Sequence, residues 1–276
     1  MAGVRTPEEL TADLQALGVT EGDLLMVHAS LRKIGPVAGG AASVIAAIDA
    51  AVGESGGWIM VLGAEDDFDW VNQRPDAERA ALLAETPVFH PLTTPAQPDV
   101  GYLAEAVRRD PRTEVNDHPE GRFGARGAAR AFLKDAPWDD YYGPGSPLER
   151  LCRAGGKVLR LGADPDTVTM LHYAEYIVDL PAKRRERRHR RVMGPDGPVI
   201  RTVECLDDSN GLVDLPGEDY FARILKAYLA AGRGRRGRAG GAASELIEAA
   251  DLVDFAVAWM GQNLREAAQT LAAQQR

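Results

Sequence analysis

Residues 156–175, GKVLRLGADPDTVTMLHYAE, restrict what this chain can fold into more than any other stretch. Residues 157–161 interleave apolar with basic side chains and read as a buried strand. Gly162-Ala163 and Asp164-Pro165 break that strand, and Asp166 or Thr167 can cap the helix that follows. On this helix His172 and Glu175 stand three apart, on one face. A neutral imidazole is the side chain best matched to taking a proton near pH 7, and a neighbouring carboxylate can fix its tautomer. The segment therefore marks the place for a general base.

The N-terminal part reads as a βαβ-like unit. Pro7–Leu17 forms an amphipathic helix capped by Thr6, residues 23–28 a strand, residues 41–52 a helix and residues 58–62 a second strand. The loop between, ASLRKIGPVAGG, offers backbone N–H groups that can hold a phosphate or pyrophosphate, although GPVAGG is neither the dinucleotide fingerprint nor the P-loop. Residues 90–98, HPLTTPAQP, read as an ordered loop before a helix-forming stretch at 100–109. Residues 220–229 and 243–271 read as helical, flanking an arginine-glycine loop, with Phe255, Val257, Trp259 and Met260 on apolar faces.

Charge narrows the partners. The net charge of −9 hides two basic runs, KRRERRHRR at 183–191 and RGRRGR at 233–238; outside them 21 basic residues stand against 40 acidic ones. Acidic clusters occur at Glu65-Asp66-Asp67 with Asp69, at Asp135 with Asp139-Asp140, and at Asp207-Asp208 with Asp214. Such a surface attracts polycations and repels nucleic acid. The basic runs lack interleaved aromatics and any nucleic-acid-binding motif, so they read as solvated loops or an anion site. No apolar run approaches the roughly eighteen residues of a membrane span, and MAGVRTPEEL is polar where a signal peptide is apolar, so the chain reads as cytoplasmic with no membrane partner. Cys152 and Cys205 make neither a disulfide framework nor a zinc ligand set, and Cys152, at helical spacing from Leu148 and Leu151, reads as a packed thiol rather than a nucleophile.

Taken in order, the blocks HASLRKIGPVAGGAASVIAAI, RRDPR…HPEGRFGARG and SPLERL…GGKVLRLGADPDTVTMLHYAE resemble the aminoglycoside 3-N-acetyltransferases, the antibiotic N-acetyltransferase family. ETPVFHP, YYGPGSPL and GRRGRAGGA point to its gentamicin-type branch. The chain departs from the family pattern at Val115-Asn116-Asp117, at Arg122, where a serine often precedes the phenylalanine, and at Arg160 within the leucine strand.

The resemblance implies one α/β domain over residues 1–276, a three-layer α/β/α sandwich with a mixed sheet. It also implies acetyl-CoA as cosubstrate, no metal, and acetylation of the 3-amino group of a 2-deoxystreptamine ring. His172 matches the family's base, with Glu175 as its orienting partner. On the coenzyme A side the resemblance places Ser30, Leu31, Arg32, Lys33, Val37, Gly39, Gly40, His118, Phe123, Ser146 and Thr167. For the aminoglycoside it offers Glu65, Asp66, Asp67, Tyr142, Glu204, Asp207 and Asp208. His28 reads as a core residue or a helper, His90 and His189 as loop residues. A monomer or homodimer is expected. The competing readings are a relative acetylating another small amine and a Ser/His/Glu hydrolase, the latter without a G-x-S-x-G elbow.

Overall fold

The computed structural model describes residues 3–64 and 68–275. In chain order the first half carries α1 (Pro7–Leu17), β1 (Leu24–Ala29), α2 (Leu31–Ile34), α3 (Ala41–Val52), β2 (Gly57–Val61), α4 (Asp76–Glu85), α5 (Tyr102–Arg109), β3 (Glu114–Val115) and β4 (Phe123–Gly127). The second half carries α6 (Pro147–Arg153), β5 (Lys157–Leu161), α7 (Met170–Ile177), β6 (Arg185–Gly194), β7 (Gly197–Leu206), α8 (Tyr220–Ala230), β8 (Arg235–Ala239), β9 (Ala242–Glu248), α9 (Ala249–Asn263) and α10 (Arg265–Gln274). No helix among the described residues is long and apolar enough to cross a membrane.

Seven strands form one sheet in the order β3-β4-β2-β1-β5-β9-β8, parallel across β2-β1-β5 and antiparallel toward both edges. Side chains alternate across a strand, so each central strand feeds two cores. Met26, Ile59, Val158 and Ile247 point to one face, where α6, α7, α8 and α9 pack. Leu25, Val27, Trp58, Met60, Leu159, Leu161 and Leu246 point to the other, against α1, α3 and α5. The result is a three-layer α/β/α arrangement around a mixed sheet. Local signals agree with it: Thr6 Oγ1 accepts from the Glu9 amide and Glu9 Oε2 accepts from the Thr6 amide, a capping box that starts α1.

Three segments differ from their sequence reading. Residues 183–191 are not a loop: most of them belong to β6, which pairs with β7 in a separate two-stranded ribbon around a two-residue turn. Its charges are neutralised in place, Arg185 by Asp140 and Arg187 by Glu204, so a run of arginines can lie extended without self-repulsion. The arginine-glycine stretch forms the edge strand β8, whose exposed arginines suit an edge that must not pair further. Residues 242–248 are a strand, not the start of a helix; a short apolar run such as Leu246-Ile247 looks alike in both.

Arg122 fixes the residue 90–98 loop. Fully buried, its guanidinium donates to the carbonyls of Gly63, Pro91, Thr94 and Pro95 and lies over the Phe89 ring. Burial pulls its pKa down to about 10. Arg122→Ala strips four carbonyls, most of them partly buried, of their donor and should destabilise the protein by about 3–5 kcal/mol, measured by chemical denaturation; Arg122→Lys should recover only part of that loss.

Candidate active site

A cleft of about 700 Å3 opens at the carboxyl ends of β1, β2 and β5, the edge where an α/β sheet collects its ligand-binding loops. Gly162, at φ +66°, turns the chain out of β5; a Cβ there would stand 2.9 Å from those of Lys33 and Ala242. A 3-10 turn, Pro165–Thr167, intervenes before α7, so neither Asp166 nor Thr167 caps that helix. Thr167 Oγ1 instead donates to the Asp164 carbonyl at 2.7 Å.

α7 carries His172 into the cleft wall with its ring clamped on three sides. Tyr142 stacks on it at 5.0 Å and 8°, Phe221 meets it edge-on at 4.8 Å, and Nδ1 lies 2.6 Å from Glu175 Oε2. A carboxylate only accepts, so Nδ1 carries the proton and Nε2 of the neutral ring holds the lone pair. Burial pulls the His172 pKa down, but the charge and hydrogen bond of Glu175, with Asp208 and Asp219 behind, outweigh it and raise the pKa above its ordinary value. The other oxygen of Glu175 accepts from the Tyr220 hydroxyl. Glu175 itself is 1% exposed, so both of its oxygens are committed to these donors.

Acidic side chains line the same cleft. Asp208 accepts from Tyr141 Oη at 2.5 Å and pairs with Arg188 Nη2 at 2.7 Å. Burial raises its pKa, and Arg188 together with His172 and the Tyr141 hydrogen bond brings it below the ordinary value. Glu120 pairs with both Arg188 and Arg190, and Arg190 reaches Asp69 at 3.1 Å. Asp99 and Asp166 line the cleft without an ion-pair partner among the described residues. The wall thus presents carboxylates partly matched by arginines from β6.

On the other side Ser30, Leu31, Arg32 and Thr167 line the cleft, and Lys33 stands just behind, tied to Asp164 at 2.5 Å. His28 also lines it; burial and then the Arg160 charge push its pKa down to about 4, so the ring is neutral.

Other expected site residues sit elsewhere. Val37, Gly39 and Gly40 lie in the turn before α3, outside the cleft lining. His118 is buried, its Nδ1 accepting from the amides of Glu120 and Gly121 and its Nε2 donating to the Trp138 carbonyl, so it shapes the turn that carries Glu120. Ser146 caps α6 from a fully buried position. Phe123 is core, edge-on to Tyr142 at 5.9 Å, and supports the ring that stacks on His172. Glu204 is exposed on β7 and spent on Arg187. Asp207 is 1% exposed and turned inward, accepting from the Ser209 and Asn210 amides and from Asn210 Nδ2. Glu65, Asp66 and Asp67 lie outside the described residues. His189 belongs to β6, where its ring contacts Arg79 and Thr202.

Sequence reasoning missed Glu120, Arg188, Arg190 and Tyr220. Glu120 lay within the HPEGRFG block, and Tyr220 at the start of an anticipated helix, but neither type nor spacing marked them. Cys152 stands outside the cleft with Sγ 3.5 Å from Met170 Sδ, and burial pushes its thiol up to about 12, which removes thiolate at neutral pH.

The family model described as aminoglycoside 3-N-acetyltransferase matches residues 26–261. Aminoglycoside N(3)-acetyltransferase VII of Streptomyces paromomycinus is 41% identical over 273 residues, spanning 95% of this chain and 93% of that protein. The solved aminoglycoside acetyltransferase AAC(3)-Xa superposes with a TM-score of 0.90 at 39% identity, over 96% of this chain and 95% of its own. AAC-IIIb, solved as a binary complex with coenzyme A, superposes at 0.87 with 38% identity, over 94% and 97%. With His172 held by Glu175 at the mouth of a three-layer α/β/α fold, and with this extent of similarity, the chain belongs to the aminoglycoside 3-N-acetyltransferase family.

Proposed function

We propose that the protein transfers the acetyl group of acetyl-CoA to the 3-amino group of the 2-deoxystreptamine ring of aminoglycosides, a resistance activity carried out in the cytoplasm by one domain spanning residues 1–276. It is carried by His172, held by Glu175, lining the same cleft as Asp208, Glu120, Asp69 and Asp99. An ammonium has no lone pair, so His172 Nε2 takes its proton, directly or through water, as the nitrogen attacks the thioester carbonyl. The C–N amide bond forms and the C–S bond breaks; the second proton lost by the nitrogen ends on the departing sulfur, so the coenzyme leaves as its thiol, and the proton held by His172 passes to water. Glu175 stabilises the imidazolium formed meanwhile.

Asp208, Glu120, Asp69 and Asp99 supply acceptors for a substrate that brings several ammonium groups, each of which must exchange water for an anion on entering the cleft. This wall favours an aminoglycoside over a small amine of low charge. Across the cleft, Ser30, Leu31, Arg32 and Thr167 would line the coenzyme side, with Arg32 as the cation for phosphate. The reading is tested by thiol release from acetyl-CoA on adding gentamicin, tobramycin or kanamycin, with the acetylated nitrogen located by NMR. No release with any of them, or acetylation at another nitrogen, would sink it.

His172→Ala should lower turnover about a hundredfold or more while coenzyme A affinity, measured by calorimetry, changes little. In the unaltered protein the rate should climb as pH rises through a value above 6.5, because the base must be neutral and its pKa is raised.

Asp208→Asn should raise the Michaelis constant for the aminoglycoside about tenfold, the loss of one charge-assisted hydrogen bond. Glu204→Gln, on the outer face of the ribbon, should leave it unchanged, and Asp207→Asn should reduce thermal stability first. Steady-state kinetics and thermal melts separate the three.

A further inference from the structure

Glu175 has two neighbours of different kinds. Its Oε2 faces His172 Nδ1, and its Oε1 accepts from the Tyr220 hydroxyl, whose oxygen in turn accepts the Leu212 amide at 3.1 Å. Tyr220 is 5% exposed, in edge contact with Phe221, which itself abuts the His172 ring. The Asp207-centred turn presents that Leu212 amide, and Gly211, at φ +76°, leaves room for the phenol: a Cβ there would lie 2.7 Å from Tyr220 Cε1. An unbroken chain therefore runs from a backbone amide through a phenol and a carboxylate to the imidazole.

We infer that Tyr220 is a positioning residue for His172, sharing the negative charge of Glu175 between two donors so that the imidazole stays available as a base at neutral pH. The inference rests on His172 being the base. A hydrogen bond donated to the far oxygen draws charge from the near one, which weakens the hold of the carboxylate on the ring proton. Without Tyr220 the whole charge would fall on Nδ1–H, and the imidazolium would persist to higher pH.

Other charges face the pair from the surrounding elements. Asp208 follows β7, Asp219 caps α8, and Lys183 lies before β6, its Nζ bonded to the Tyr176 carbonyl. Tyr142 stacks from the segment before α6. α6 gives its Glu149 to Tyr173, and α9 contributes the buried Leu252, Ala256 and Met260 to this core. Tyr220→Phe alters none of these charged groups; it removes the donor to Glu175 and, with it, the acceptor of the Leu212 amide.

The test is an NMR titration of the imidazoles of the five histidines in the substrate-free protein, with the His172 signal assigned by its loss in His172→Asn. Tyr220→Phe should move the His172 midpoint upward by roughly half a unit to one unit, and Glu175→Gln should move it down. The acid limb of turnover should follow, so that Tyr220→Phe loses more rate at pH 6.5 than at pH 8.5. Gly211→Ala, which displaces the same phenol from the other side, should shift the midpoint in the same direction. An unchanged or lowered midpoint in folded Tyr220→Phe overturns the inference. Since the titration needs no substrate, it can succeed or fail independently of which amine is acetylated.

Discussion

A carboxylate taken out of water costs several kcal/mol unless each oxygen finds a donor, and Glu175 sits at the centre of this site under that constraint. Its donors come from different parts of the chain: His172 one turn earlier on α7, and Tyr220 at the start of α8. To bring Tyr220 there, the loop after β7 must fold back through the Asp207 turn, and to keep α7 in register the chain must leave β5 at Gly162. The stacking of Tyr142 and the edge contact of Phe221 then hold the imidazole without tying up Nε2. Satisfying one buried anion thus fixes the loop, the helix and the imidazole together.

The second organising feature is the interlock of charges across the cleft. Arg188 is nearly buried among Glu120, Glu186 and Asp208, and Tyr141 completes the cluster. Arg190 binds the remaining face of Glu120 and reaches Asp69. Such pairs add little net stability once desolvation is counted, but they fix where each carboxylate oxygen points. The acidic excess outside the basic runs, visible as a count in the composition, becomes a directed surface only through these arginines.

Much of this was legible in the sequence, for identifiable reasons. The capping box at Thr6 and Glu9, the strand at 157–161 and the i,i+3 spacing of His172 and Glu175 are local, and local rules govern them. The failures involve long-range partners. The arginines of β6 look like a solvated run until Glu204, Asp140, Glu120 and Asp208 arrive from distant segments to neutralise them. Asp207 and Asp208 are adjacent and chemically alike, yet opposite orientations make one a turn support and the other part of the cleft. Arg122, a departure from the family pattern, gave no hint that four carbonyls awaited it.

β6 and β7 pair with one another and not with the seven-stranded sheet; among the described residues, the backbone of β6 meets the rest of the chain where Val192 pairs with Phe89 and where the His189 amide donates to Asn72 Oδ1. His172 is anchored in the main core by α7, while Arg188 and Arg190 arrive on this separate ladder and Asp208 directly follows it. Substitutions along the cleft-facing side of the ribbon therefore leave the hydrogen bonds of the central sheet untouched. Heredity can then vary the charges that border the cleft while the buried frame around His172 and Glu175 is passed on unchanged.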